Sequence, residues 1–198
     1  MIFAVTLVTK ITFMDIIYLH GFNSDGEGWK ATALRKHFPT ANVHAPDLPA
    51  HPLRVQEVIE SCIANCNEPP LLVGTSLGGF YAYYYSALHQ LKALLFNPSL
   101  KPHITLDDRG IGVFKTWTQG RAYHFKRDYL TILEKMKSEA DHQQNQKLLY
   151  FFLANDDEVL DHQQIPEQFT QSHVQWFPGA GHRFSKFEKV LKLMKKDF

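Results

Sequence analysis

The stretch Leu71-Leu72-Val73-Gly74-Thr75-Ser76-Leu77-Gly78-Gly79-Phe80 constrains what this chain can fold into more than any other. A short apolar run, a Gly-x-Ser-x-Gly turn and a helix-compatible segment, Phe80 to Leu88, follow one another without a gap. A buried strand that turns sharply into a helix lifts the side chain at the turn clear of the top of a sheet. Glycine is expected at 74 and 78 because a side chain there would collide with the neighbouring strand or helix, and sharp turns often need backbone angles that glycine reaches cheaply. The same turn puts the Leu77 amide at a helix N-terminus, aimed at the place where an oxyanion would form beside Ser76. Ser76 is therefore read as a nucleophile and Leu77 as one donor of an oxyanion hole. Two glycines and a serine also meet by chance, so the strand and the helix around them carry the reading.

The rest of the chain parses around this turn. Ile16 to Leu19 is a continuous apolar run, expected of a strand buried on both faces of a parallel sheet, and it ends in His20-Gly21-Phe22-Asn23-Ser24. The loop after this strand supplies the second oxyanion amide in such a plan, and we assign it to Phe22; a plain turn with His20 hydrogen-bonded locally is the alternative. Residues 29–38 read as a surface helix with Trp29, Ala33, Leu34 and Phe38 on its apolar side and Lys30, Arg35 and Lys36 elsewhere on the wheel. A strand at 42–46 leads into the Pro46-Asp47-Leu48-Pro49 loop, where Asp47 and His44 are expected to anchor the loop and His51 to line a site entrance. An amphipathic helix from Leu53 to about Asn65 precedes the central strand, and the aromatics Phe80 to Tyr85 in the helix after Ser76 are read as core.

Leu91 to Phe96 gives the next strand, broken by Asn97-Pro98-Ser99. Residues 101–146 are more polar, with a helical segment around Tyr129 to Met136, and are expected to form a lid-like insertion. The strand Lys147 to Ala154 delivers Asn155-Asp156-Asp157-Glu158 at its C-terminal end, where an open parallel sheet collects its functional groups. A short helix near Pro166, a last strand at 172–177, the loop Pro178-Gly179-Ala180-Gly181-His182 and a helix from about Phe184 to Met194 finish the chain. This alternation predicts one α/β domain over 14–198, a mostly parallel sheet covered by helices on both faces. Residues 1–13 are read as an extension, an extra strand or a leader, with Met14 as an alternative start of translation.

A serine hydroxyl becomes a nucleophile when an imidazole accepts its proton and a buried acid holds the imidazole's tautomer. In this fold the chain order is serine, acid, histidine. Of the histidines after the acid loop, His173 is read as starting a strand and His162 a helix, which leaves His182 in its glycine loop as the base. Asp156, Asp157, Glu158 and Asp161 crowd the acid loop, and the residues alone do not choose among them. Taken together, Gly74 to Gly79, Tyr18 to Ser24, Asp157-Glu158-Val159 and Gly181-His182 resemble the α/β-hydrolase superfamily, and within it the small bacterial YqiA-like esterase family, from Met14 onward. In that superfamily the acid commonly stands two residues before a valine, so the resemblance implies Asp157, before Val159. It also implies an esterase or thioesterase acting on a small-molecule ester or thioester without a cofactor. An acyltransferase or perhydrolase with the same triad, and a non-catalytic hydrolase-fold binding protein, are the other readings. The modest insertion departs from larger relatives and leaves the acyl pocket undefined.

Composition narrows the partners. Lys+Arg total 21 against 20 Asp+Glu, a net charge of +1, which gives nucleic acid or an anionic membrane no electrostatic grip. The apolar run Met1 to Val8 has no basic residue before it and meets Lys10 too soon for a membrane span. Cys62 and Cys66, one helical turn apart, are expected as free thiols in a reducing, cytoplasmic setting. Asp107-Asp108 and Asp141-His142 read as solvated surface and not as metal ligands.

Overall fold

The computed structural model describes residues 14–117 and 119–194. The extension expected at 1–13 lies outside these residues. Strands β1 (Asp15–Leu19), β2 (Asn42–His44), β3 (Leu71–Thr75), β4 (Ala93–Phe96), β7 (Leu149–Leu153) and β8 (His173–Trp176) form one sheet in the order β2-β1-β3-β4-β7-β8, every pair parallel. The chain therefore starts inside the sheet, steps outward to β2, crosses back past β1 to β3, and then moves steadily the other way. That reversal opens a crevice beyond the C-terminal ends of β1 and β3, where ligands gather in open α/β sheets.

Why the strands read as unbroken apolar runs is visible in their two faces. Along β1, Ile17 and Leu19 join a cluster with Val55 and Ile59 of α2 (Pro52–Ala64), the helix α3 (Leu77–His89) and α5 (Asp128–Gln143). Ile16 and Tyr18 alternate with them and join the opposite cluster, with Ala31 and Leu34 of α1 (Trp29–His37) and Val190 and Leu191 of α7 (Phe187–Met194). Side chains alternate along a strand and both faces are covered, so no position asks for a polar residue. Helix α3 runs through the larger cluster, with Tyr83 and Tyr85 fully buried. The polar tips of Tyr83 and Tyr84 donate to Asp141 at 2.7 Å and Glu139 at 2.8 Å on α5, so the aromatic run is core, as expected.

Three expectations change. Residues between β4 and β7 hold more regular structure than their composition suggested: α4 (Pro102–Arg109), then an antiparallel hairpin of β5 (Gly112–Lys115) and β6 (Ala122–Phe125), then α5. The hairpin strands are four residues each and half exposed, too short to stand out from loop. At the start of α1 two positions are exchanged: Trp29 is 46% exposed, while Lys30, read as outward, is only 9% exposed; Ala33, Leu34 and Phe38 are buried and Arg35 and Lys36 exposed, as expected. Tertiary packing of the first turn against α7 overrides the wheel, with the Trp29 and Phe187 rings edge to face at 5.7 Å. The C-terminal helix begins at Phe187, because residues 181–186 form turns.

Candidate active site

Ser76 sits between β3 and α3 with φ 53° and ψ −120°, a conformation that L-residues avoid. The turn is too tight for side chains on either side: a Cβ at Gly74 would lie 2.3 Å from the Gly78 carbonyl oxygen, and one at Gly78 would lie 2.0 Å from that of Leu19. Glycine is thus required for close approach, and the positive φ falls on Ser76 itself and not on its glycines. The strained residue is held from both sides, its amide donating to the Phe96 carbonyl at 3.1 Å and its carbonyl accepting from the Ser99 amide at 3.0 Å.

His182 arrives from the loop after β8 with Nε2 at 3.1 Å from Ser76 Oγ. Its Nδ1 lies 2.9 Å from each carboxylate oxygen of Asp157. An ionised carboxylate only accepts, so Nδ1 carries the proton and Nε2 is left to accept from the serine hydroxyl. The Asp157 side chain is almost wholly buried, 1% exposed. Burial alone would raise its pKa, but hydrogen bonds from His162, His182 and the Val159 amide hold the carboxyl well below the usual range.

The crowded acid loop divides its work. Asp156 accepts from the Ala180 amide at 3.1 Å and Glu158 from the His182 amide at 2.9 Å, so both carboxylates fasten the histidine loop. Asp161 turns back on the Gln163 amide at 2.9 Å. Asp157 alone among them meets the imidazole.

Two residues that the sequence reading passed over hold this arrangement. His162, expected to start a helix, lies in the loop before α6 (Ile165–Gln168), with Nε2 2.9 Å from the second oxygen of Asp157. Asn97, expected only to break a strand, is fully buried with φ 43°. Its amide group donates to the Gly181 and His182 carbonyls at 2.9 and 3.1 Å, and its side-chain oxygen accepts from Ala154 N at 2.8 Å. It bolts the histidine loop to the end of β7. The one signal for it was an asparagine at the C-terminal end of a central strand.

Phe22 and Leu77 both line a cavity of about 400 Å³ whose wall also includes Ser76 and His182. The Phe22 ring is boxed by Phe114, Tyr123 and Phe125 of the β5–β6 hairpin, with centroids 5.0 to 5.9 Å away. The Trp117 amide donates to the Asn23 carbonyl at 2.8 Å, and Tyr123 donates to the Asn23 side chain. The insertion therefore grips the loop that carries the Phe22 amide. His20 is a local anchor: Nδ1 donates to the Gly21 carbonyl at 2.9 Å and Nε2 accepts from the Leu48 amide at 2.9 Å. Burial keeps this ring neutral by lowering its pKa.

A second cavity of about 340 Å³ shares Phe22 and Leu77 and is walled by Leu48, Pro49, Tyr81 and Tyr123. Both volumes suit small ligands. His51, expected at an entrance, instead caps α2 by accepting from Leu53 N at 3.2 Å and packs on Tyr129. Asp15, His44 and Cys66 bring ligand atoms within 4.8 Å of one another. Asp15 already accepts from Asn42 at 2.9 Å and from the Asn67 amide at 3.3 Å, while burial and the Asp15 charge push the Cys66 thiol up to about 11, which disfavours a thiolate ligand. Asp15, through Asn42 and His44, ties β2 to β1.

The family model described as "Uncharacterised protein family (UPF0227)" matches residues 15–198. The chain belongs to the UPF0227 family. A UPF0227 protein of Vibrio cholerae is 26% identical over 187 residues, covering 91% of this chain and 97% of its own length. Among solved structures, Est1E from Butyrivibrio proteoclasticus superposes with a TM-score of 0.68 at 16% identity, over 94% of this chain and 87% of its own. The monoacylglycerol lipase of Paleococcus ferrophilus gives 0.69 at 13% identity, over 93% and 95%. The YqiA-like resemblance and the α/β-hydrolase fold expected of this UPF0227 chain are borne out. Among the described residues no helix is long and apolar enough to cross a membrane.

Proposed function

We propose that the chain is a serine hydrolase of carboxylic esters or thioesters working through Ser76, His182 and Asp157. The observation that supports it most is the unbroken hydrogen-bond path Ser76 Oγ, His182 Nε2, His182 Nδ1, Asp157. Ser76 attacks the acyl carbon as His182 takes its proton; the carbonyl oxygen becomes anionic and is met by the Phe22 and Leu77 amides. His182 then passes the proton to the departing alcohol or thiol, and the Ser76 acyl ester is opened by a water that His182 deprotonates. Asp157 fixes the ring and stabilises its cationic form without taking the proton. The insertion at about 101–146 acts as the lid of this site, and the free thiols Cys62 and Cys66 suit a cytoplasmic protein.

The test is a panel of p-nitrophenyl esters and acyl thioesters of graded chain length, run with the parent and with Ser76→Ala. The parent should turn over at least one series, and the variant should lose on the order of a thousandfold or more in kcat. Equal turnover by parent and variant would remove Ser76 from the chemistry.

A further inference from the structure

We infer that the cavity beside Ser76 contains a subsite for an anionic group of the substrate, a carboxylate or a phosphate, centred on Lys30 and Arg183. This deepens the hydrolase reading and rests on it.

Lys30 is only 9% exposed, yet among the described residues its ammonium has neither a hydrogen bond nor an ion pair. Its nearest company is aromatic, with Nζ 4.9 Å from the centre of the Trp29 ring and 5.8 Å from that of Phe187. A buried cation without a counter-charge is expensive. Desolvation first, and then repulsion from Arg183, pull its pKa down to about 8. Both residues line the same cavity as Ser76 and His182, and Arg183 directly follows the proposed base in the chain.

The wall carries a third cation, Arg109, and its carboxylates, Glu27 and Asp25, each pair with an arginine. Glu27 is held by both arms of Arg35 at 2.6 and 2.7 Å, and Asp25 by Arg121 at 2.8 Å; neither arginine lines this cavity. Arg109 and Arg183 rest on the Phe22 and Trp117 rings, each 5.9 Å from the centroid, with no carboxylate partner among the described residues. Asp25 lines the same cavity and its second oxygen is buried without a hydrogen-bond partner, so the anion is assigned to the cations Lys30 and Arg183 and not to that carboxylate. Helix α1 adds its field there, starting with no acidic residue in its first turn and no side-chain cap. A lysine point charge beside an arginine fork suits a carboxylate or a phosphate. Because the cations share one cavity with the serine, the anion belongs to the molecule whose acyl carbon meets Ser76.

Two matched pairs test this: mono-p-nitrophenyl glutarate against p-nitrophenyl pentanoate, with the charge on the acyl side, and 4-carboxyphenyl acetate against phenyl acetate, with it on the alcohol side. The parent should favour the anionic member of one pair by about tenfold or more in kcat/KM, and Lys30→Met should cut that ratio by a similar factor. A ratio is taken within one preparation, so a partly unfolded variant does not mimic the effect. Ratios of one for both pairs, or a ratio unmoved in Lys30→Met, overturn the subsite. If the parent hydrolyses no ester, the hydrolase reading fails, and the subsite is then read by tryptophan fluorescence on titration with glutarate and, separately, inorganic phosphate. A saturable change lost in Lys30→Met upholds it and tells carboxylate from phosphate; no saturable change with either anion overturns it.

Discussion

Removing the imidazole of His162 tests how Asp157 is kept ionised. The buried carboxylate accepts the Val159 and Leu160 amides on Oδ1, each at 2.9 Å, and His162 Nε2 on Oδ2 at 2.9 Å, besides the His182 ring. A hydrogen bond to a charged group contributes about 1.5–3 kcal/mol net. His162→Ala should therefore lower stability by about 2–4 kcal/mol at pH 7 once the truncated volume is included, and cut kcat/KM by about tenfold because the acid holds the base less firmly. The pH dependence has a definite sign. A carboxyl held below its unfolded pKa contributes stability above about pH 4 that is lost as pH falls toward the folded value. Losing His162 narrows that gap, so the deficit of the variant is largest near neutrality and shrinks in strong acid. Urea unfolding from pH 7 downward and kcat/KM on a p-nitrophenyl ester measure both. A variant within about 0.5 kcal/mol and twofold of the parent at pH 7, smaller than any effect this bond implies, would show that Asp157 does not lean on His162.

Gly78→Ala drives a methyl to 2.0 Å from the Leu19 carbonyl oxygen, backbone against backbone, and should destabilise by about 3 kcal/mol or more in urea melts; a loss under about 1 kcal/mol would mean that the turn is looser than described. Asn97→Ala leaves the Ala154 amide without its side-chain acceptor and frees the Gly181 and His182 carbonyls. It should reduce kcat by about tenfold or more with little change in KM for a small acetate ester, since the ring is displaced while the cavity stays. A KM effect alone would assign Asn97 to binding.

What could be read from the chain beforehand depended on whether a residue's role was local. The turn at Ser76 is local: its glycines answer to atoms four or five residues away or on the adjoining strand end, and so they stand out in sequence. The placement of His182 beside Ser76 was legible by elimination, because glycines at 179 and 181 mark a loop that no other late histidine shares. Which carboxylate meets its ring was a different problem. Asp156 and Asp157 are adjacent and chemically identical, and only the folded loop sends one to the Ala180 amide and the other to the imidazole. His162 and Asn97 are invisible for the same reason, since their partners lie in other loops and no periodicity announces a loop contact. Lys30 misled because a helical wheel assumes a flat apolar partner, whereas the start of α1 is packed against α7 and a cavity wall.

The nucleophile is the centre of the account, and a fluorophosphonate probe measures it directly. Intact and peptide mass spectrometry should find a single adduct, on Ser76, absent from Ser76→Ala and formed far more slowly in His182→Ala. A folded parent protein that stays unlabelled, or one labelled at another serine, would contradict the assignment.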